Sequence, residues 1–334
     1  MITFEHVTKQ YADGTVAIED VSFTVEEGTT TVLVGPSGCG KTTTMKLVNR
    51  LEDPTEGTVY RDGTPISEFD PIELRRNTGY VIQEIGLFDH MTVGDNVATV
   101  PKLNDWDEEA IDARVDELLE LMDLPPAKYR NQHPTELSGG QRQRVGVARA
   151  LASDPDVLLM DEPFGALDPI TRESLQDEFL KIQDELETTI LFVTHSIDEA
   201  LKMGDRIAIF DVGEVVQYDT PQTILDEPKS EFVEDFIGSD RPLKKLKVTR
   251  VEDVMSATTE GFTAAADGGT GTTATVQGNG GSTVDALEPT DTALSALSRL
   301  VASDVGRLPV VEDGEVVGTV SNEEISRSNE GARP

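Results

Sequence analysis

The sequence predicts an α/β fold followed by a small α+β domain, and three observations carry that expectation. An apolar, β-branched run opens into a glycine-rich loop and a helix near residue 41. A second apolar run ends in paired carboxylates at 161–162. After residue 240 the composition changes and a helix–hairpin pattern follows. The length, 334 residues, favours two domains and leaves ample chain for a core. Charge is the unusual property: 28 Lys and Arg against 63 Asp and Glu give −35. Such a surface repels phosphate backbones, so no nucleic-acid partner is expected. Alternating apolar strands and amphipathic helices argue against disorder as the reason for the acidity. The composition reads instead as adaptation to high salt, where screening weakens repulsion among carboxylates. Cys39 stands alone, so no internal disulfide forms and a reducing compartment fits. No apolar stretch approaches a membrane span and no secretory signal is legible, which places the chain in the cytosol or on a membrane through partners.

The first strand, Thr29 to Val34, leads into GPSGCGKTT at 35–43. Gly35, Pro36, Ser37, Gly38, Cys39 and Gly40 form a loop, and Lys41 opens a helix, which matches G-x-x-x-x-G-K-[ST] in its required context. Glycines let backbone N–H groups wrap a polyphosphate, and the helix N-terminus adds positive potential. Lys41 then reaches the β- and γ-phosphates, Thr42 holds Mg²⁺, and Thr43 continues the cradle. The run VLLMDE at 157–162 supplies the second half of the site. Asp161 is positioned for Mg²⁺ and Glu162 to orient or deprotonate a water. Between the two lies LSGGQRQRV, where Ser138, Gly139, Gly140 and Gln141 begin a helix running through Arg149 and form another anion site. One chain with two phosphate sites is a puzzle that a dimer solves.

These segments, with GALD at 165–168 and VTHS at 193–196, stand in the order found in ATP-binding subunits of ABC transporters, which residues 1–240 resemble. The resemblance implies a P-loop NTPase: a RecA-like core, an antiparallel β subdomain and a helical subdomain carrying LSGGQ. It also implies a head-to-tail homodimer with two ATP molecules at the seam. By the same likeness Tyr11 stacks on adenine and Gln83 senses Mg²⁺ and the attacking water. Asp168 links the two sites across the dimer, His195 contacts the γ-phosphate, and Glu162 is the base. GALD departs from the more usual serine-led form of its loop but keeps Asp168. His6, His90 and His133 make no metal-like cluster and are read as structural.

The wider wording of GYVIQEIGLFDHMTVGDNVATVPKL, LMDEPFGALDPITRESLQDEF and VTHSIDEALKMGDRIAIFDVGEVVQYDTP resembles importer subunits for quaternary-amine osmoprotectants: glycine betaine, choline or carnitine. The resemblance implies an integral-membrane permease, an extracellular solute-binding protein and a place on the cytoplasmic face of the membrane. Recognition of the cation belongs to an aromatic cage in the binding protein, not to this chain. The rivals are an importer ATPase for another small solute, a soluble non-transport ABC ATPase and a nucleotide sensor. VDELLELMDL at 115–124 has the spacing of an amphipathic helix whose apolar face packs internally.

RPLKKLKVTR at 241–250 is expected to be a basic linker, with attraction to anionic lipid heads or to an acidic face of the partner as its functional reading. The region 251–334 resembles a CBS module. Leu294, Leu297, Leu300 and Val301 are expected on one helical face, with RLPVV and EVVGTV as a hairpin around Glu312-Asp313-Gly314. The glycine- and threonine-rich stretch at about 261–283 reads as a flexible insert or an eroded first repeat. A lone module of this kind is expected to pair across the dimer and regulate or stabilise it.

Overall fold

The computed structural model describes residues 1–83, 85–183, 188–257, 262–264, 275–278, 283–303 and 305–330. The chain forms two compact units, Met1–Thr220 and Pro221–Pro334.

The first unit holds two sheets. Its strands are β1 (Ile2–Gln10), β2 (Val16–Val25), β3 (Thr30–Val34), β4 (Glu56–Arg61), β5 (Thr64–Pro65), β6 (Thr78–Val81), β7 (Val157–Asp161), β8 (Thr189–Thr194), β9 (Arg206–Asp211) and β10 (Glu214–Asp219). The larger sheet runs β10-β9-β3-β8-β7-β6. From β9 to β6 its neighbours are parallel, and β10 closes one edge antiparallel to β9. Every residue of β3, β7 and β8 is buried, the continuous apolar pattern of strands covered on both faces. Register then fixes where function can sit. Val34 pairs with Thr194 and Ile209, and Asp161 with Val193. The residues that follow these strands therefore leave the sheet at one carboxyl edge, where open α/β sheets bind ligands.

The smaller sheet, β2-β1-β4-β5, is antiparallel throughout. Phe4 and Phe23 stack at 4.6 Å between ring centroids in a core that also takes in Leu33, Met45, Leu159 and Phe210, so one apolar cluster joins both sheets to the helix Lys41–Val48. Each such side chain contributes about 1.5–3 kcal/mol on burial. The helix Glu108–Leu121 starts with Glu108 and Glu109, which suit its positive end, and buries Ile111, Val115, Leu118 and Leu119. This is the internal packing expected of residues 115–124.

The second unit changes three expectations. Residues 241–250 are not a solvated linker: Arg241–Val248 is a helix packed on the helices Pro221–Asp226, Ala293–Ser303 and Asn322–Glu330. That packing draws the start of the second unit back to Pro221, ahead of the expected boundary at 240. Lys244 and Lys245 are buried; Lys244 Nζ reaches Asp240 Oδ1 at 2.7 Å and Lys245 Nζ reaches Asp226 Oδ1 at 2.6 Å. A lipid contact through 241–250 thus loses two of its cations to internal pairs, because an uncompensated buried ammonium would be costly. The face of the helix Ala293–Ser303 centres on Ala293, Ala296 and Leu300, while Val301 is 72% exposed. The hairpin is as expected. Strands Arg307–Glu312 and Glu315–Ser321 pair antiparallel, and Asp313 and Gly314 both take positive φ in a two-residue turn. Most of 261–283 lies outside the described residues. Its described parts, Phe262–Ala264, Thr275–Gly278 and Thr283–Asp285, form a short antiparallel sheet.

Candidate functional site

The phosphate loop is built by steric necessity. A Cβ on Gly35 would lie 2.3 Å from the Phe210 carbonyl oxygen, and one on Gly40 would lie 2.4 Å from that of Ala17. Gly40 also sits at φ 105°, where it begins the helix Lys41–Val48. A side chain at either position would collide with backbone. Lys41 is buried, and its Nζ donates to the carbonyls of Gly35 at 2.7 Å and Pro36 at 2.8 Å, so the ammonium stands at the loop. Cys39 Sγ lies 3.6 Å from the same nitrogen. Tyr11 Oη is 3.3 Å from Thr43 Oγ1, which sets that ring beside the first helical turn, with Lys9 Nζ 5.2 Å from its centroid.

Three strand ends bring the remaining chemistry to this loop's edge. Thr42 Oγ1 donates to Asp161 Oδ1 at 3.1 Å. Burial is the main influence on the Asp161 carboxyl and pushes it above its usual value, and the neighbouring Glu162 adds to the rise. Glu162 is in the left-handed region at φ 45°, its N–H bonded to Val193 O at 2.9 Å. Its Oε2 lies 3.3 Å from Gln83 Nε2 and 3.3 Å from His195 Nδ1. Three residues widely separated in sequence therefore meet at one carboxylate oxygen, and a non-glycine residue in strained backbone is a mark of functional sites. An acid so held can take a proton from a water while its neighbours fix its direction.

The LSGGQ segment lies apart from this constellation. Ser138 caps the helix Gly139–Leu151: its Oγ accepts from Gln141 N at 3.3 Å, and Gln141 Oε1 accepts from Ser138 N at 2.9 Å. Gln141 Nε2 donates onward to Tyr129 Oη at 3.2 Å. Gly140 is closely packed: a Cβ there would lie 3.0 Å from Thr171 Cγ2, a side-chain methyl. Among the described residues nothing bonds Ser138, Gly139, Gly140 or Gln141 to the phosphate loop of the same chain. Asp168 is exposed and caps its own helix through Thr171 N at 3.1 Å; the hydrogen bonds from Thr171 hold its carboxyl below the ordinary range.

Sequence reasoning passed over Arg149. Its guanidinium donates to Ile85 O and Gly86 O, both at 2.7 Å, and lies 5.7 Å from the centre of the Phe88 ring. Ile85, a β-branched residue at φ 58°, and Gly86 form a strained turn just after Gln83. Burial pushes the Arg149 guanidinium below its usual value. The far end of the LSGGQ helix thus grips the loop that carries Gln83. Only the three-dimensional arrangement gives this away, because no motif marks an arginine whose partners are backbone carbonyls.

Comparison with known proteins supplies the family. The family described as ABC transporter matches residues 18–165, and the CBS domain family matches residues 283–330. The chain is 53% identical over 265 residues to the carnitine transport ATP-binding protein OpuCA of Listeria monocytogenes serotype 1/2a (strain 10403S), covering 79% of this chain and 66% of that protein, so it spans just under two thirds of that relative's length. It is 44% identical over 322 residues to the glycine betaine uptake system ATP-binding protein YehX of Escherichia coli (strain K12), covering 96% of this chain and 97% of that one. Among solved structures it is similar to the ATP-binding cassette MJ0796, solved as a dimer in a post-hydrolysis state bound to ADP and Pi. There the identity is 34% and the TM-score 0.59, over 66% of this chain and 99% of that chain.

Proposed function

This chain belongs to the ATP-binding family of ABC transporters, and on that premise we propose that it hydrolyses ATP as a homodimer to drive uptake of a quaternary-amine osmoprotectant through an integral permease. The observation that carries the hydrolytic half is the meeting of Gln83, Glu162 and His195 at one oxygen beside the loop that holds Lys41. The solute class is supported by relatives named for carnitine and for glycine betaine. No helix among the described residues is long and apolar enough to cross a membrane. In this reading the chain works on the cytoplasmic face through the permease, and an extracellular binding protein delivers the solute.

Lys41 and the loop N–H groups hold the β- and γ-phosphates. Glu162 takes the proton from the attacking water, Gln83 orients that water, and His195 holds the γ-phosphate. Ser138, Gly139, Gly140 and Gln141 come from the partner, and Asp168 reaches across the seam. Tyr11 supports the base of the nucleotide. The Thr42 hydroxyl and the Asp161 carboxylate, 3.1 Å apart, form a hard oxygen pair suited to Mg²⁺, with the Gln83 amide oxygen as a further donor. Bound there, Mg²⁺ supplies neutralisation of phosphate charge. The CBS domain pairs with its copy across the dimer.

Co-purification of the permease and binding protein, followed by thermal melting of the latter with glycine betaine, choline or carnitine, tests the solute. Stabilisation by one of these and by no polyamine or amino acid is the expected result. Stabilisation only by another solute class would replace the substrate assignment and leave the ATPase assignment standing.

A further inference from the structure

Behind the site lies a carboxylate that hydrolysis does not use. Glu199, on the helix Ile197–Met203, is 7% exposed. Its Oε2 accepts from Thr194 Oγ1 at 2.6 Å, and its Oε1 accepts from Gln176 Nε2 at 3.1 Å. Arg172 Nε stands 3.8 Å from the same Oε1. The partners belong to two pieces of the machinery, the strand end at Thr194 and the helix Pro169–Gln183. Thr194 precedes His195, and its hydroxyl also accepts from Ser196 N at 3.1 Å, so the turn bearing the histidine is pinned on both sides. Arg172 donates from Nε to Phe164 O at 3.2 Å and from Nη2 to Leu167 O at 2.9 Å, holding two carbonyls of the loop that carries Asp168. Gln176 lies one helical turn beyond Arg172 on Pro169–Gln183.

An apolar residue would fill this space without the cost of burying an ionised carboxyl, so packing alone does not account for Glu199. Its contacts do. The residue that reaches across the seam and the residue set on the γ-phosphate are tied to one buried anion. We infer that Glu199 is a positioning residue that locks the Asp168 loop and the His195 turn into one unit, so that closure at the seam and alignment for hydrolysis occur together. This rests on the function proposed above.

The test uses the full-length chain with Mg-ATP, reading kcat, KM and thermal midpoint for Glu199→Gln, Arg172→Met and the double variant. Glutamine keeps the shape but removes the charge, and methionine removes the tie to the Asp168 loop. Each single variant should lower kcat about 10-fold with KM within about twofold of wild type, and the double variant should lose no more than either, because both cut the same connection. Wild-type kcat in either single variant, or losses that multiply in the double, would overturn the inference. If Glu199→Gln fails to fold, Gln176→Leu, which removes a donor to Glu199 without touching the carbonyls at 164 and 167, takes its place under the same kcat criterion. A wild type without turnover overturns the functional reading and this inference together. A wild type that hydrolyses ATP, loses turnover in Glu162→Gln and keeps it in Glu199→Gln overturns this inference alone.

Discussion

The loop at 35–43 and the turn at 137–141 are both glycine-rich and both open a helix, yet they are finished in different ways. The first is completed within its own chain: Lys41 lies on its carbonyls, Thr42 meets Asp161, and Tyr11 stands by Thr43. Backbone presses on Gly35 and Gly40, and Gly38 is held at a φ of 82°. The second is finished only as a helix cap, with Ser138 and Gln141 bonding each other. Its Gly140 makes room for a threonine methyl. A cradle and a cap can share a composition while answering different physical demands, and the second gains a ligand only if another molecule brings one.

The largest test separates chemistry from both loops. Glu162→Gln should lower turnover by about 10²–10⁴-fold while nucleotide still binds and holds the dimer, seen by chromatography with ATP. Rapid hydrolysis by that variant would remove the base from the scheme. Next, mixed dimers examine whether the turn serves the opposite loop. With Lys41→Ala on one protomer and Ser138→Ala on its partner, both defects fall in one pocket and the assembly retains a single occluded ATP; with both on one protomer it retains none. The reverse pattern would mean that each chain completes its own site.

The glycines give a smaller and purely structural contrast. Gly40→Ala should destabilise by about 1–3 kcal/mol, since neither φ nor the Ala17 carbonyl can yield. Gly140→Ala should be close to neutral, because a side-chain methyl can shift and alanine gains about 1 kcal/mol of helix propensity. Equal midpoints for the two in urea would erase the distinction. Smallest of all, Ser138→Ala should cost about 1 kcal/mol through the lost cap, and Ser138→Asp should restore it.

Much of the site was readable in sequence because its parts are contiguous. GPSGCGKTT and VLLMDE each place their reactive groups at the end of an apolar strand, so local pattern and function coincide. The residues that organise the site were not readable in this way. Arg149 acts on carbonyls at 85 and 86, and Glu199 accepts from donors at 176 and 194 with the guanidinium of 172 close by. Their meaning depends on tertiary neighbours, which single-sequence periodicity does not encode. The basic run at 241–250 misled for a related reason: exposure was inferred from charge, whereas Lys244 and Lys245 find carboxylates inside the fold. Val301 departs from the expected face: Leu294, Leu297 and Leu300 pack with Ala293 and Ala296, and Val301 turns outward.

The left-handed backbone at Glu162 has an evolutionary corollary. A glutamate there is a local burden on folding that asparagine or glycine would relieve, by about 1 kcal/mol or more. Copies of this gene that ceased to be selected for turnover would be free to exchange it, and products that did so would melt later than the working ancestor. Persistence of the acid in a lineage is then a sign of continued labour.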